Sequence, residues 1–413
     1  MIETIRPLSI EELRAAVAGA VERAIPLEIL GRGSKRDLGH PVEAQAVIDL
    51  SRLSGVRLYE PEELVLKAGA GTSLAEIEAV IAQRGQILAF EPPDLAPLYG
   101  GPAGSGSIGG AIACNLAGPR RLKAGAARDH FLGFAAVSGW GEVFKAGGRV
   151  VKNVTGYDLP KLLAGSHGTL AVMTEITLRV HPAPETLRTL LLVGLDDARA
   201  IEAMAVALGS PHEISGAAHL PPGEAGLSAV DRVAETGAGV TALRIEGPPA
   251  SVTYRVGALE AWLRRFGVPT LILEPDESAA FWRELRDVRN FAAARLDPRM
   301  PLWRLSVAPS EAPRVVAAIQ AARPGARHFY DWGGGLIWLA LPHAPDAHAA
   351  LVRGALQGQA GSQAGHATLI RAEASVRRAV PVFEPEPPAL AALSRRVKAA
   401  FDPLAILNRG RMG

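Results

Sequence analysis

Cysteine is almost missing from this chain: Cys114 is the single one in 413 residues. That excludes an internal disulfide framework, and it excludes a cysteine-ligated iron–sulfur cluster or zinc finger. Aromatic side chains are scarce, at 5%, which leaves little material for the stacking platforms of single-strand nucleic-acid binders. A charge excess is missing too. The 44 Lys+Arg face 42 Asp+Glu, and no basic stripe marks a nucleic-acid surface. Long apolar runs are lacking: residues 336–341 form one of the longest, far short of the ~20 residues a membrane helix needs. The first seven residues carry no apolar secretory stretch. The expectation is cytoplasmic residence, with any membrane association made through partners. With 48% hydrophobic and 21% charged residues the chain is globular, and its length predicts two or three domains.

Glycine, by contrast, is plentiful, and three glycine-bearing stretches stand in order in the first half. They are GRGSKR at 31–36, GSGSIGG at 104–110 and GSHGTL at 165–170. Glycine admits positive φ and has no side chain to hold a ligand off, so each stretch can bring bare N–H groups to an anion. The first is neither a Walker loop nor a Rossmann fingerprint, because Arg36 stands where the third Rossmann glycine belongs. Three such loops, with Arg32, Lys35 and Arg36 in the first, point to a long anionic ligand such as a dinucleotide. As plain turns and a Gly/Ser linker they would need no ligand. Cys114 sits in a small-residue run and reads as a packed side chain, with a redox-active thiol as the alternative.

Around the loops, Ser9-Ile10-Glu11-Glu12 predicts an N-capped helix to about Arg23. Strands are expected over 27–30, 46–50 and 64–68, and a helix over 74–84 capped by Thr72 or Ser73, as in a small α/β lobe. Strands over 134–137, 142–146 and 171–180, with a helix near 159–163, predict a second, more antiparallel lobe. His181-Pro182-Ala183-Pro184 reads as a linker. Beyond it, strands at 187–193, 240–245, 302–307 and 336–341 alternate with helices at 197–208, 251–266, 278–291 and 313–322. That pattern predicts an α+β domain whose helices cover one face of a sheet. A loop is expected near 354–365, and a last helix over 389–401. The expected division is 1–182, 183–380 and a C-terminal helix and tail, 381–413.

The order GRGSK, GAGTSLAEIEAVIAQRG, PPD, GSIGGAIACNLAG and KNVTGYDLPKLLAGSHGTLAVMTEITLRVHP, over about residues 27–182, resembles a known flavin domain. It is similar to the FAD-binding, PCMH-type domain of the vanillyl-alcohol oxidase family. The tail FDPLAILNRG at 401–410 resembles the C-terminal motif of that family's hydroxyacid dehydrogenases, and the likeness is to its glycolate-oxidase branch. The resemblance implies an α+β fold, with a two-lobed FAD domain followed by an α+β cap domain whose sheet is covered by helices. It implies FAD held by Gly31, Arg32, Gly33, Ser34 and Lys35 at the pyrophosphate. Pro93, Asp94, Gly106, Ser107, Ile108, Gly109, Gly110 and Asn115 would follow the flavin and ribityl part. Gly168, Leu170 and Val172 would lie near the adenine or the ring, and Asn408 would return to the flavin edge. Ser34 follows Gly33, and no histidine precedes His40, so the FAD is expected to be non-covalent.

One departure stands out. The family's catalytic hydroxyacid dehydrogenases carry an H-x-G-D-G-N-x-H metal string, and the nearest counterpart here, YDWGGGLIW at 330–338, has no paired histidines. No metal is therefore expected. Arg286 and Arg304 are weak candidates for a substrate carboxylate, against salt-bridge or sheet-face roles. His167 is a candidate to tune the flavin, against a plain loop role. The implied function is an FAD-bearing subunit in the oxidation of a small 2-hydroxy acid. Its implied partners are a catalytic flavin sister subunit and an iron–sulfur subunit, and nucleic acid is not among them. The alternatives are a non-catalytic assembly subunit and a stand-alone oxidase.

Overall fold

A computed structural model describes residues 2–148, 156–358 and 365–413. Of the KNVTGYDL motif, residues 152–155 lie outside the described residues, as do residues 359–364 of the loop expected near 354–365. Two compact units result. Unit 1 comprises residues 1–117, 125–183 and 385–413, and unit 2 comprises 118–124 and 184–384.

Unit 1 opens with a parallel three-stranded sheet, β1 (Glu3–Ile5), β2 (Leu27–Leu30) and β3 (Ala46–Asp49), in the order β1-β3-β2. Helix Ile10–Glu22 connects the first two. Ser9 caps it by accepting from Glu12 N–H, and Leu13, Val17 and Ala20 recur at helical spacing to form its buried stripe. An antiparallel five-stranded sheet follows, from β4 (Val56–Glu60), β5 (Val65–Gly69), β7 (Phe131–Ser138), β8 (Val143–Gly147) and β9 (Ala171–Arg179), ordered β4-β5-β9-β7-β8. A short antiparallel pair, β6 (Gln86–Ile87) and β10 (His181–Pro182), forms a separate two-stranded sheet. β9 is buried nearly throughout because both its faces are covered. Met173, Ile176 and Leu178 meet the helices Leu74–Ala82 and Ile108–Ala113, whereas Val172 joins Leu13 and Val17.

Unit 2 is one antiparallel sheet of eight strands: β11 (Thr186–Val193), β12 (Gly216–Leu220), β13 (Val240–Gly247), β14 (Thr270–Leu273), β15 (Leu302–Val307), β16 (Arg327–Asp331), β17 (Leu336–Ala340) and β18 (Gly365–Arg371). Their order is β14-β11-β13-β12-β16-β17-β15-β18. Four helices, Asp197–Leu208, Pro249–Leu263, Ala312–Ala322 and Ala349–Ala355, bury apolar stripes against one face. A fifth, Pro275–Arg286, packs on the other face, where Trp282 Nε1 donates to Thr189 Oγ1 at 2.7 Å.

Three differences from expectation have physical causes. Strands β12, β14, β16 and β18 were not expected: β12 opens Gly-Ala-Ala, β16 opens Arg-His, β18 opens Gly-His-Ala, and β14 has only four residues. The helix expected over 278–291 starts at Pro275 and ends at Arg286, since Glu274 caps it and Val288 takes a positive φ of 52°. Segment 118–124 leaves unit 1 because Trp332 Nε1 donates to the Gly118 carbonyl at 3.0 Å and Arg120 pairs with Glu246 at 2.5 Å. Among the described residues no helix is long and apolar enough to cross a membrane.

Candidate FAD-binding cleft in unit 1

The three glycine loops meet at one cleft in unit 1, lined by residues 29–36 and by Ser107, Gly110, Cys114, His167, Asn408 and Arg411. The first loop leaves β2 and curls through Gly33 at φ +76°, a conformation that glycine adopts without steric cost. The N–H groups of Arg32, Gly33, Ser34 and Lys35 have no acceptor among the described residues. Successive free N–H groups around a left-handed residue form a concave nest for anions. Gly31 is required for a second reason: a Cβ there would overlap Ser107 Oγ on the second loop.

The second loop is pinned along the end of β5. Leu74 N–H donates to the Gly106 carbonyl at 2.9 Å, Ile108 N–H to Thr72 at 3.0 Å, and Gly109 N–H to Ala70 at 2.9 Å. Ser107 then caps helix Ile108–Ala113, its Oγ accepting from Gly110 N–H at 3.2 Å. The third loop is tied to the end of that helix, with Gly165 N–H on Ile112 O at 3.1 Å and His167 N–H on Ala113 O at 2.8 Å. The C-terminal tail locks the set. Asn408 Oδ1 accepts from Ile29 N–H at 2.8 Å, and its Nδ2 donates to the His167 carbonyl at 2.8 Å. Asn408 thus bridges the first and third loops across 379 and 241 positions of sequence.

Charge in the cleft is uneven. Glu28 accepts two bonds from Arg36, at 3.0 and 2.5 Å, and one from Arg411 at 3.3 Å. Lys35 has no such partner: its ammonium donates to Ser34 Oγ at 3.1 Å and makes no ion pair among the described residues. Burial pushes its pKa below the usual lysine value, and Cys114 and Asp94 only partly restore it. Burial, with the Arg411 charge, holds His167 down at about 4, so its ring is neutral near pH 7. Cys114 Sγ lies 3.7 Å from His167 Nδ1. Burial raises its pKa, which suits a packed thiol rather than a reactive thiolate.

Not every candidate residue reaches the cleft. Asp94 accepts from Gly104 N–H at 2.7 Å and so shapes the second loop, next to Pro93. Asn115 Oδ1 accepts from Arg128 N–H at 3.0 Å. Leu170 and Val172 are buried, Val172 wholly within the core beside Leu13. Gly168 lies against the Asn408 amide. Arg286 and Arg304 belong to unit 2, where Arg286 is held by Asp287 at 2.8 and 3.1 Å. Arg411 and Cys114 line the cleft although their motifs single out neither; only the arginine following the LNRG string hints at the first. No group of three or more His, Cys, Asp or Glu among the described residues is placed to hold a metal ion.

The cleft fits a pyrophosphate. A desolvated ammonium without an ion pair, beside four free N–H groups, is a donor set for two phosphates, and no carboxylate lines the cleft.

Comparison with known proteins agrees with that chemistry. The FAD binding domain family model matches residues 3–147. The glycolate oxidase subunit GlcE of Escherichia coli is 32% identical over 403 residues, covering 97% of this chain and 97% of the relative. The glycolate oxidase subunit GlcD of Bacillus subtilis is 27% identical over 76% of this chain and 66% of its own. Among solved structures, p-cresol methylhydroxylase superposes with a TM-score of 0.71, covering 99% of this chain and 88% of its own, at 14% identity, a likeness of fold. The chain therefore belongs to the PCMH-type FAD-binding oxidoreductases and, within them, to the glycolate oxidase E-subunit family.

Proposed function

We propose that this chain is an FAD-bearing subunit of a glycolate (2-hydroxy acid) oxidase or dehydrogenase assembly, working with a flavin-bearing sister subunit and an iron–sulfur subunit. The observation that carries the proposal is the cleft: an unpaired, desolvated Lys35 next to the acceptor-free N–H groups of residues 32–35. When bound, FAD supplies the two-electron acceptor for oxidation of the hydroxy acid at its C–OH carbon and hands those electrons onward. The protein's part is positional. Residues 31–35 and Lys35 hold the diphosphate, Ser107 and Gly110 bring the second loop to it, and Asn408 keeps the first and third loops at fixed separation. Neutral His167 and the protonated Cys114 thiol line the cleft without adding a competing charge. With a single cysteine in the chain, an iron–sulfur acceptor must be carried by another polypeptide. No histidine lies on the first loop, which supports a dissociable flavin.

The test is purification of the chain alone and with its native partners, followed by acid release and quantitation of flavin, then anaerobic glycolate addition. Stoichiometric, acid-released FAD that bleaches with glycolate in the assembly is the expected result. A folded chain that takes up no FAD on reconstitution would overturn the cofactor assignment, and FAD that glycolate reduces only in the sister subunit would leave this chain an assembly subunit.

A further inference from the structure

The face of the eight-stranded sheet away from its four helices carries charge that the FAD cleft does not use. Along β15, Trp303, Leu305 and Val307 enter the helix-covered core, so Arg304 and Ser306 point the other way. Their cross-strand partners put Trp338 of β17 and Thr368 of β18 beside Arg304, and His366 of β18 beside Ser306. The turn after β16 adds Trp332. Its backbone sits at φ +53°, a strained position for a bulky residue, and is held there by an N–H bond to Asp331 Oδ1 at 2.7 Å. Its indole N–H bonds Gly118, which anchors segment 118–124 and with it Arg121.

Both guanidinium groups lie over this one ring, Arg121 at 4.8 Å and Arg304 at 5.0 Å from its centre. Neither makes a side-chain hydrogen bond or ion pair among the described residues. The contrast with their neighbours is direct, since Arg120 has Glu246 and Arg286 has Asp287. Burial and the Arg121 charge push the Arg304 pKa down to about 10, and Asp331 only partly offsets them. His366 is lowered by burial and by the same two arginines, with Glu384 partly opposing them. Two like charges, partly dehydrated and with Asp331 near but not ion-paired to either, are unfavourable by themselves. A guanidinium stacked on an indole still keeps its in-plane N–H donors free, and that fork matches a carboxylate.

We propose that Arg121 and Arg304, presented on the Trp332 ring, form a binding site in unit 2 for a small carboxylate. The choice of a carboxylate over other anions rests on the hydroxy-acid function proposed above. The occupant is then either the reacting acid or a non-reacting carboxylate that regulates the chain, and the two share the group that the arginines recognise.

The test uses the full chain saturated with FAD, so that the diphosphate cleft is filled, and titrates it calorimetrically with oxalate, with glycolate and with inorganic phosphate. Oxalate is expected to bind and to raise the unfolding temperature. Arg304→Met and Arg121→Met should each weaken it about tenfold or more, while Arg304→Lys retains part of the affinity. Without oxalate, Arg304→Met should unfold at or above the temperature of the parent, because it removes an unpaired charge. The proposal is overturned if oxalate does not bind, if both methionine variants bind it as the parent does, or if phosphate binds equally well. It is also overturned if both variants are destabilised in the absence of anion, which is the signature of a structural pair. Loss of anaerobic flavin reduction by glycolate in Arg304→Met identifies the reacting acid as occupant; unchanged reduction with lost oxalate binding identifies an effector. Failure of the cofactor assignment reads out separately, as a flavin-free chain that still binds oxalate.

Discussion

Cations in both units divide into those with an acid beside them and those without, and the two units treat the second kind differently. In unit 1, Arg36 and Arg411 share Glu28, and Lys398 has Asp402, whereas Lys35 stands alone. In unit 2, Arg120, Arg286 and Arg327 have Glu246, Asp287 and Glu224, whereas Arg121 and Arg304 stand alone. Paired cations hold loops and strands together. The lone ones collect where a ligand of opposite sign would complete the charge balance. Unit 1 surrounds its lone cation with backbone N–H groups, which suits a diphosphate; unit 2 lays its pair on an aromatic ring, which suits a planar carboxylate.

The comparison is broken most forcefully at Glu28. Glu28→Gln leaves the buried Arg411 without its acid, and the expected loss is about 3 kcal/mol of unfolding free energy by urea titration. A loss below about 1 kcal/mol would mean that this pairing is not structural. Lys35→Met should do the opposite. Stability of the FAD-free chain should be unchanged or slightly raised, while FAD affinity falls about tenfold or more in fluorescence titration.

The same lysine sharpens the contrast through pH. Its pKa is lowered in the free protein, and a bound diphosphate would raise it, so binding takes up a proton once pH exceeds the free value. FAD affinity of the parent should therefore weaken as pH rises through that lowered pKa, beginning below the ordinary lysine range. Lys35→Met should lose this slope.

The smallest effect belongs to His167. Its folded pKa of about 4 lies below the unfolded value, so the unfolded chain binds its proton first. Stability should decline as pH falls from about 6.5 toward 4, and His167→Asn should flatten that decline in acid-unfolding curves. A variant as acid-sensitive as the parent would assign the loss to other groups.

Local chemistry carried much of this in the order of residues. Ser9 with Glu12, Ser73 before Leu74 and Ser107 before Ile108 mark helix starts whose capping bonds span three residues, so nothing distant is needed to form them. Gly33 and its basic neighbours likewise announce an anion nest, because φ is a property of one residue and its flanks. Other residues meet partners that local sequence does not announce. Asn115 Oδ1 accepts from Arg128 N–H, and Arg286 is held by its own neighbour Asp287. Arg121 carried no signal, and neither Cys114 nor Arg411 was marked as a cleft residue beyond the LNRG string before the second.

What composition and spacing established, then, is a run of glycine turns suited to a long anion on a chain lacking cysteine ligands of its own, and the family resemblance added the flavin and the α+β fold. Three-dimensional closure decided which polar groups are spent and which are left over. Ile29 meets Asn408, Arg411 reaches Glu28, and Gly118 receives Trp332, across separations of 379, 383 and 214 residues. A side chain's remaining capacity to bind depends on partners at such distances, and no local window of sequence contains them.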